Sequence, residues 1–435
     1  ENIRKQDSII SSNTSTIPLK VLSADMSDDM KKDFCITHFF NPVRYMGLLE
    51  IVTEPINDKE KINLLKSFCD EKLGKGVILC KDTPGFLGNR VGVYAMQVAM
   101  TEAFKMGLTI EEADAVFGRP MGIPKTGIFG LYDLIGIDLM ADVLKSFIKE
   151  LPKDDPFHEV AQENPLITKL ISEGYTGRKG KGGFYRINKE SGKKILEAIN
   201  LETGKYAPSQ KINLEMSNKV DIQKLISRDD KYGRYAWSVI SKIINYAASL
   251  IPSVTERHNN IDEAMRLGFN WTIGPFEMLK EINVKNFVLK DQQLKQSKFI
   301  NDLYLKGILN WYGDPQLYIN DSFETLRNAS LFNKEYENES ATYSKKNTIN
   351  RSADHSLLGT KYNVVEFHTK ANALDHSSIV VLDQAARDNK LIIINNGMQF
   401  SAGVNLNYVM DSVNNNEWKR IEKFIFNFQQ TCKKL

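Results

Sequence analysis

Two short apolar runs near the amino end of the chain each carry one group able to hold a charge. His38-Phe39-Phe40 closes the first run and leads into Asn41-Pro42, a turn-forming pair, and Leu48-Leu49-Glu50-Ile51-Val52 is the second. If the runs pair as antiparallel strands about Arg44, positions 38 and 50 face each other, and directly opposed residues set their Cβ atoms roughly 5 Å apart. A partly buried carboxylate against an imidazole fixes one tautomer and raises the ring's basicity. The pattern therefore reads either as a satisfied core histidine or as a general base.

The rest of the pattern alternates between strand and helix periods. Residues 7–20 read as a short apolar strand running into a Ser/Asn/Thr cluster and a proline, a strand feeding a polar loop. Residues 24–33 read as a short acidic helix. From Asp58 to Leu73 the apolar positions 62, 64, 65 and 68 have helical spacing, with Gly74 as the cap, and Val77–Cys80 is a further strand. This alternation suggests the last third of a doubly wound sheet. In Lys81–Arg90, Asp82 or Thr83 before Pro84 reads as a helix start, which would put Asn89 in the second turn. The chain then reads as wholly helical to about Phe147.

A unit recurs. Thr109–Ile135 and Ile261–Leu279 share an acidic helix start, a Gly-containing turn, Gly then Pro, and an aromatic-led helix. Each follows a long helical segment, Val91–Phe104 and Tyr235–Leu250, so two divergent copies of one helical unit are expected. Gly177–Gly183 closes the first copy, and its Arg178, Lys179 and Lys181 read as a solvated turn or a phosphate contact. The polar stretches 187–229 and 311–356 read as linkers. Beyond them Asn363–His368 alternates as a strand, Ser378–Arg387 is helical and Leu391–Ile394 is a buried strand. That strand runs into the small-residue turn Asn395–Leu406, whose free backbone N–H groups could hold an oxyanion.

Composition narrows the function. A chain of 435 residues suggests two to four domains, and 42% hydrophobic with 26% charged residues describes a globular protein. A formal charge of +3 argues against a dedicated nucleic-acid binder. Cys35, Cys69, Cys80 and Cys432 form no CxxC pair, so neither a zinc site nor a disulfide framework follows, and no metal site is expected. No apolar run approaches membrane-spanning length, and no signal peptide is visible; a cytoplasmic location is the expectation. Both ends look cut through folded domains.

Together these segments resemble the 3-hydroxyacyl-CoA dehydrogenase family. The carriers are Ser12–Ser15, His38–Pro42, Leu48–Val52 and Lys81–Arg90, in the family's order and spacing, and Trp271–Met278 resembles its duplicated C-terminal domain. Past residue 360, Phe367–Asp375 and Phe400–Leu406 resemble the opening half of a crotonase, or enoyl-CoA hydratase, domain. The resemblance implies the end of a Rossmann-type NAD-binding domain over 1–81, helical domains over 82–186 and 230–310, and the start of a crotonase-like α/β domain over 357–435. It implies His38 as the catalytic base oxidising a 3-hydroxyacyl-CoA to the 3-oxoacyl-CoA in β-oxidation, with Glu50 orienting the ring. Ser15 and Asn89 would hold the substrate oxygen, Ser15 and Asn41 would meet NAD, and Ala402 would be an oxyanion-hole donor. An acyl-CoA thioester is the implied substrate, with a homodimer or a thiolase as the implied association.

The sequence departs from the family in two places. GxGxxG, the dinucleotide fingerprint, occurs nowhere in it. Asn405 stands where the hydratase pattern more often has Asp. The rival expectation is a silent remnant that binds acyl-CoA or a partner without turnover.

Overall fold

The computed structural model describes the chain except residues 1–3, 6, 16, 162–163, 190–193, 217–219, 292–293, 309–311, 313–315, 320–321, 326–343, 348–352, 359–361, 368, 370–371, 388–390 and 395–399. Residues 1–326 and 327–435 are separate compact units.

The first unit opens with a four-stranded sheet of β1 (Ile10–Ser12), β2 (Phe34–Phe39), β3 (Leu48–Val52) and β4 (Gly76–Cys80), in that spatial order. β1 is parallel to β2, β2 antiparallel to β3, and β3 parallel to β4. Short helices α1 (Leu19–Leu22) and α2 (Asp28–Lys32) link β1 to β2; α3 (Lys59–Glu71), capped by Asp58, links β3 to β4. Both central strands are buried on both faces, as covered sheets require. Side chains alternate between faces. Cys35, Leu49 and Ile51 pack on one side with Ile62 and Cys69 of α3. Ile36, Leu48, Val52, Ile78 and Cys80 pack on the other with the helical core. His38 and Glu50 share the parity of that second set.

The first helical copy is α4 (Gly88–Lys105), α5 (Ile110–Val116), α6 (Gly127–Ile135), α7 (Ile137–Glu150), α8 (Phe157–Val160) and α9 (Pro165–Ser172). α10 (Ile222–Ile226) precedes the second: α11 (Lys231–Ser249), α12 (His258–Phe269), α13 (Pro275–Ile282), α14 (Val284–Lys290) and α15 (Lys298–Leu305). The long helices pair antiparallel. Tyr94 stacks on Tyr246 at 3.7 Å, the Tyr235 hydroxyl donates to the Ala99 carbonyl, and Lys242 and Ser238 hold the buried Glu102 carboxylate.

The repeat seen in the sequence has a structural core. In each copy an aspartate on one helix caps the next: the half-buried Asp114 accepts from the Phe129 and Gly130 N–H groups at the start of α6, and the fully buried Asp262 from the Phe276 N–H at the start of α13. A Cβ at Gly274 would lie 2.2 Å from the Asp262 carboxylate, and one at Gly127 would lie 2.4 Å from the Asp114 side chain, so each copy has a glycine against its capping aspartate.

Residues 187–229, expected as a linker, instead hold most of a three-stranded antiparallel sheet: β5 (Tyr185–Asn188), β6 (Ile195–Ile199) and β7 (Tyr206–Pro208). Short strands joined by polar turns hid it: Ile187 and Leu196 are exposed, while Ala198 and Ile199 are buried in the main core. Within the expected second linker, β8 (Gln316–Ile319) pairs with β9 (Ser322–Thr325). The second unit contains β10 (Ser344–Asn347), β11 (Ala353–Leu358), β12 (Tyr362–Phe367), α16 (His376–Ala385), β13 (Leu391–Ile394), α17 (Leu406–Asn414) and α18 (Trp418–Lys434). Its sheet runs β10-β11-β12-β13, and β12 and β13 are parallel across the α16 crossover. No helix among the described residues is long and apolar enough to cross a membrane.

Two outcomes follow from this packing. The second copy leans on the first where Phe269 of α12 covers Gly92 of α4: a Cβ there would sit 2.1 Å from the ring. Gly92→Ala should lower stability by roughly 1–3 kcal/mol in denaturant titration. The second concerns pH. Burial, with Glu277 adding to it, pushes the Asp262 carboxyl up to about 8 from an ordinary value of 3.8. The folded protein then keeps a proton that the unfolded chain has released, so stability falls as pH rises from about 4 to about 8, by at most ~1.4 kcal/mol per pH unit for this group. Asp262→Asn should flatten that decline when unfolding midpoints are measured across the range.

Candidate active site

The face of the sheet that meets α4 carries the chemistry. His38 and Glu50 are direct cross-strand partners, as the two apolar runs predict. The His38 Nδ1 lies 2.8 Å from Glu50 Oε2. His38 is 6% exposed and Glu50 is 0% exposed. Phe40 and Phe86 flank the imidazole, with ring centroids 4.7 and 5.6 Å away.

A fully buried carboxylate demands donors, because an unpaired charge away from water costs several kcal/mol. Glu50 finds them at the start of a helix. Its Oε1 accepts from the Leu87 N–H at 3.0 Å and the Gly88 N–H at 2.7 Å, and the Cys80 thiol lies 3.7 Å from the same oxygen. Leu87 is the cap residue of α4 and supplies no side-chain cap of its own. The carboxylate of a strand therefore does the work of an N-cap and sits where the helix dipole favours negative charge. One oxygen is anchored to α4 and the other to the imidazole.

This changes the reading of Lys81–Arg90. The helix starts at Gly88, not at Asp82 or Thr83, so Asn89 stands in the first turn, half-buried. Asp82 is spent elsewhere: its carboxylate accepts from the Leu19 and Lys20 N–H groups and caps α1. Arg90 turns away from the pair, bonding the Tyr246 hydroxyl, the Pro84 carbonyl and the Asp155 carboxylate.

The polar loop after β1 runs at the same end of the sheet as His38, since β1 and β2 are parallel. In open α/β sheets the crevice outside the strands' carboxyl ends is where ligands bind. The Asn13 side-chain oxygen accepts from the Phe39 N–H at 3.0 Å and ties this loop to the strand that carries the histidine. Ser11 and Thr37 hydroxyls pair at 2.8 Å one step below. Ser15 is half-buried in the loop, and Asn41 is exposed just after β2.

Ala402 belongs to the second unit. It is exposed, and its N–H has no hydrogen-bond partner among the described residues. The loop around it is braced: Ser401 donates to the Asn372 carbonyl, the Leu374 N–H to Gly403, and the Asn405 N–H to Leu374. Residues 395–399 of the expected turn, and His368, lie outside the described residues.

Five contributors escaped the sequence reading. The Leu87 and Gly88 amides and Phe269, which meets Phe40 at 6.1 Å from another repeat, leave no local signal. Asn13 stood inside a quoted motif, and Cys80 ended a predicted strand whose face parity could have aimed it at Glu50. Among the described residues no cluster of three or more His, Cys, Asp or Glu could hold a metal ion.

Comparison with known proteins gives the family. Residues 1–83 match the family model for the 3-hydroxyacyl-CoA dehydrogenase NAD binding domain, and residues 85–187 match that for the 3-hydroxyacyl-CoA dehydrogenase C-terminal domain. A Rickettsia felis protein named "Putative fatty acid oxidation complex trifunctional enzyme" is 36% identical over 98% of this chain and 57% of its own length. A Bacillus subtilis protein named "Probable 3-hydroxyacyl-CoA dehydrogenase" is 32% identical over 99% of this chain and 56% of its own. The chain thus spans a little over half the length of these relatives. The crystal structure of 3-hydroxybutyryl-CoA dehydrogenase from Escherichia coli K12 shares the fold, with a TM-score of 0.51 at 21% identity over 68% of this chain and 75% of that one. The chain belongs to the 3-hydroxyacyl-CoA dehydrogenase family, whose NAD-binding and C-terminal domains occupy its residues 1–187.

Proposed function

We propose that the protein oxidises (3S)-3-hydroxyacyl-CoA thioesters to 3-oxoacyl-CoA with NAD, as a step of fatty-acid β-oxidation. The observation that carries this reading is the His38–Glu50 pair at 2.8 Å, with Glu50 held from behind by two amides of α4. In neutral His38, Nδ1–H donates to Glu50 and Nε2 keeps its lone pair. That nitrogen takes the proton of the substrate's 3-hydroxyl as the C3–H bond gives up its hydride. Glu50 stabilises the imidazolium that results, and Phe40 and Phe86 keep water from the ring. A base poised near working pH serves such a step best.

NAD, when bound, supplies the hydride acceptor. The loop after β1 suits its nicotinamide end, because Asn13 fastens that loop beside His38; Ser15 and Asn41 are our candidates for contacts there. Ser15 and Asn89 are the candidates to hold the substrate oxygen. The fingerprint that cradles a dinucleotide's pyrophosphate is not among these residues, which favours testing the complete gene product beside this chain. The Ala402 amide, without a hydrogen-bond partner among the described residues, and the "trifunctional" name of the Rickettsia felis relative support a second, hydratase activity of the whole protein. A homodimer or a thiolase partner, and a cytoplasmic setting, complete the proposal.

The test is NADH absorbance on adding 3-hydroxybutyryl-CoA and NAD to this chain and to the complete gene product. His38→Gln, whose amide can still donate to Glu50, should cut the rate by about 10²–10⁴. A complete gene product that forms no NADH leaves the binding remnant as the better reading. Glu50→Gln should act differently, because an amide NH2 would oppose the N–H donors around it: activity falls and stability drops by roughly 3 kcal/mol, read as a lower denaturant midpoint.

A further inference from the structure

Glu50 has one more neighbour than a catalytic pair requires. Cys80 ends β4, two residues beyond the position that pairs with Glu50 on β3, and so reaches the carboxylate diagonally on the same face. Its Sγ is 3.7 Å from Glu50 Oε1 and 3.9 Å from the Ile78 carbonyl. Of these two acceptors the carboxylate is nearer and charged, so it draws the S–H proton. Burial first, and then the Glu50 charge, push the thiol well above its ordinary range, so it remains a donor across the working pH range.

The surroundings of the pair leave few other titratable influences. From β2 comes His38, from β3 Glu50 and from β4 Cys80; α4 offers the Leu87 and Gly88 amides, and its Arg90 is engaged by Tyr246, Pro84 and Asp155. The β1 loop offers Asn13, bonded to Phe39. The cover over the ring is aromatic, Phe40 and Phe86.

From this juxtaposition we infer that Cys80 is a positioning residue: its S–H shares the Glu50 carboxylate with His38 and thereby sets the basicity of the imidazole. Each donor to a carboxylate draws off negative charge, leaving less to stabilise an imidazolium on the other oxygen. Three donors on Oε1 thus hold His38 less basic than a free carboxylate partner would. The effect on the base is indirect, since Cys80 acts through Glu50. The inference rests on the dehydrogenase reading for its consequence, though not for its geometry.

Two measurements on the complete protein separate these. The first is the titration of the His38 ring by NMR, identified by its loss in His38→Gln and needing no turnover. The second is the acid limb of the pH profile of kcat/KM. Cys80→Ala and Cys80→Val remove the donor with a smaller and a bulkier side chain, and both should raise the His38 pKa and the acid limb together by about half a unit. Cys80→Ser keeps a hydroxyl donor and should return both to the wild-type value or below. If His38 titrates as in wild type in both donor-free variants while only thermal stability falls, Cys80 is merely packing and the inference is overturned. If the His38 titration shifts as expected but the protein forms no NADH, the inference about the pair stands and the dehydrogenase reading fails.

Discussion

The burial of one charge governs this fold. Glu50 lies in the middle of a sheet strand with no solvent contact, and a carboxylate there is tolerable only if every lone pair is answered. The answers come from three directions: an imidazole across the strand pair, a thiol one strand further, and two amides at the start of α4. Each answer fixes a piece of architecture. The imidazole fixes the register of β2 against β3, and the amides fix where α4 begins and how it docks on the sheet. A stability requirement and a catalytic requirement are thus met by the same atoms.

The helical copies extend this arrangement outward. α4 is held at its start by Glu50 and along its length by α11, through Tyr94 on Tyr246, Arg90 on Tyr246 and Glu102 on Lys242. α12 of the second copy closes the sheet from above, with Leu267 against Gly76 and Phe269 against Phe40. His38 is therefore braced by residues more than 200 positions away. The capping aspartates Asp114 and Asp262 repeat at larger scale the device seen at Glu50, a buried carboxyl at a helix start; burial pushes these two up to about 7 and about 8.

Much of this was legible in the residues. Two apolar runs with one His and one Glu, symmetric about Arg44, were enough to predict the pairing that β2 and β3 adopt. The Gly-Pro recurrence exposed the helical repeat. Backbone donors were not legible, because Leu87 and Gly88 act through amides that any residue possesses. Lys81–Arg90 misled for the same reason: Asp82 looks like a local N-cap, yet the helix it caps is α1, more than 60 residues earlier. The sheet over 185–208 was missed because its strands are only three to five residues long and the polar turns between them resemble linker composition.

At the centre of this account is a neutral His38 whose Nδ1–H donates a hydrogen bond to Glu50 and whose Nε2 stays bare. Long-range ¹H–¹⁵N correlation of the histidine rings above pH 8 reads that tautomer directly. The account predicts a protonated Nδ1 and an unprotonated Nε2 for the ring that is lost in His38→Gln. A proton found on Nε2 would contradict it, because the nitrogen facing Glu50 would then be an acceptor and the base would have no lone pair to offer.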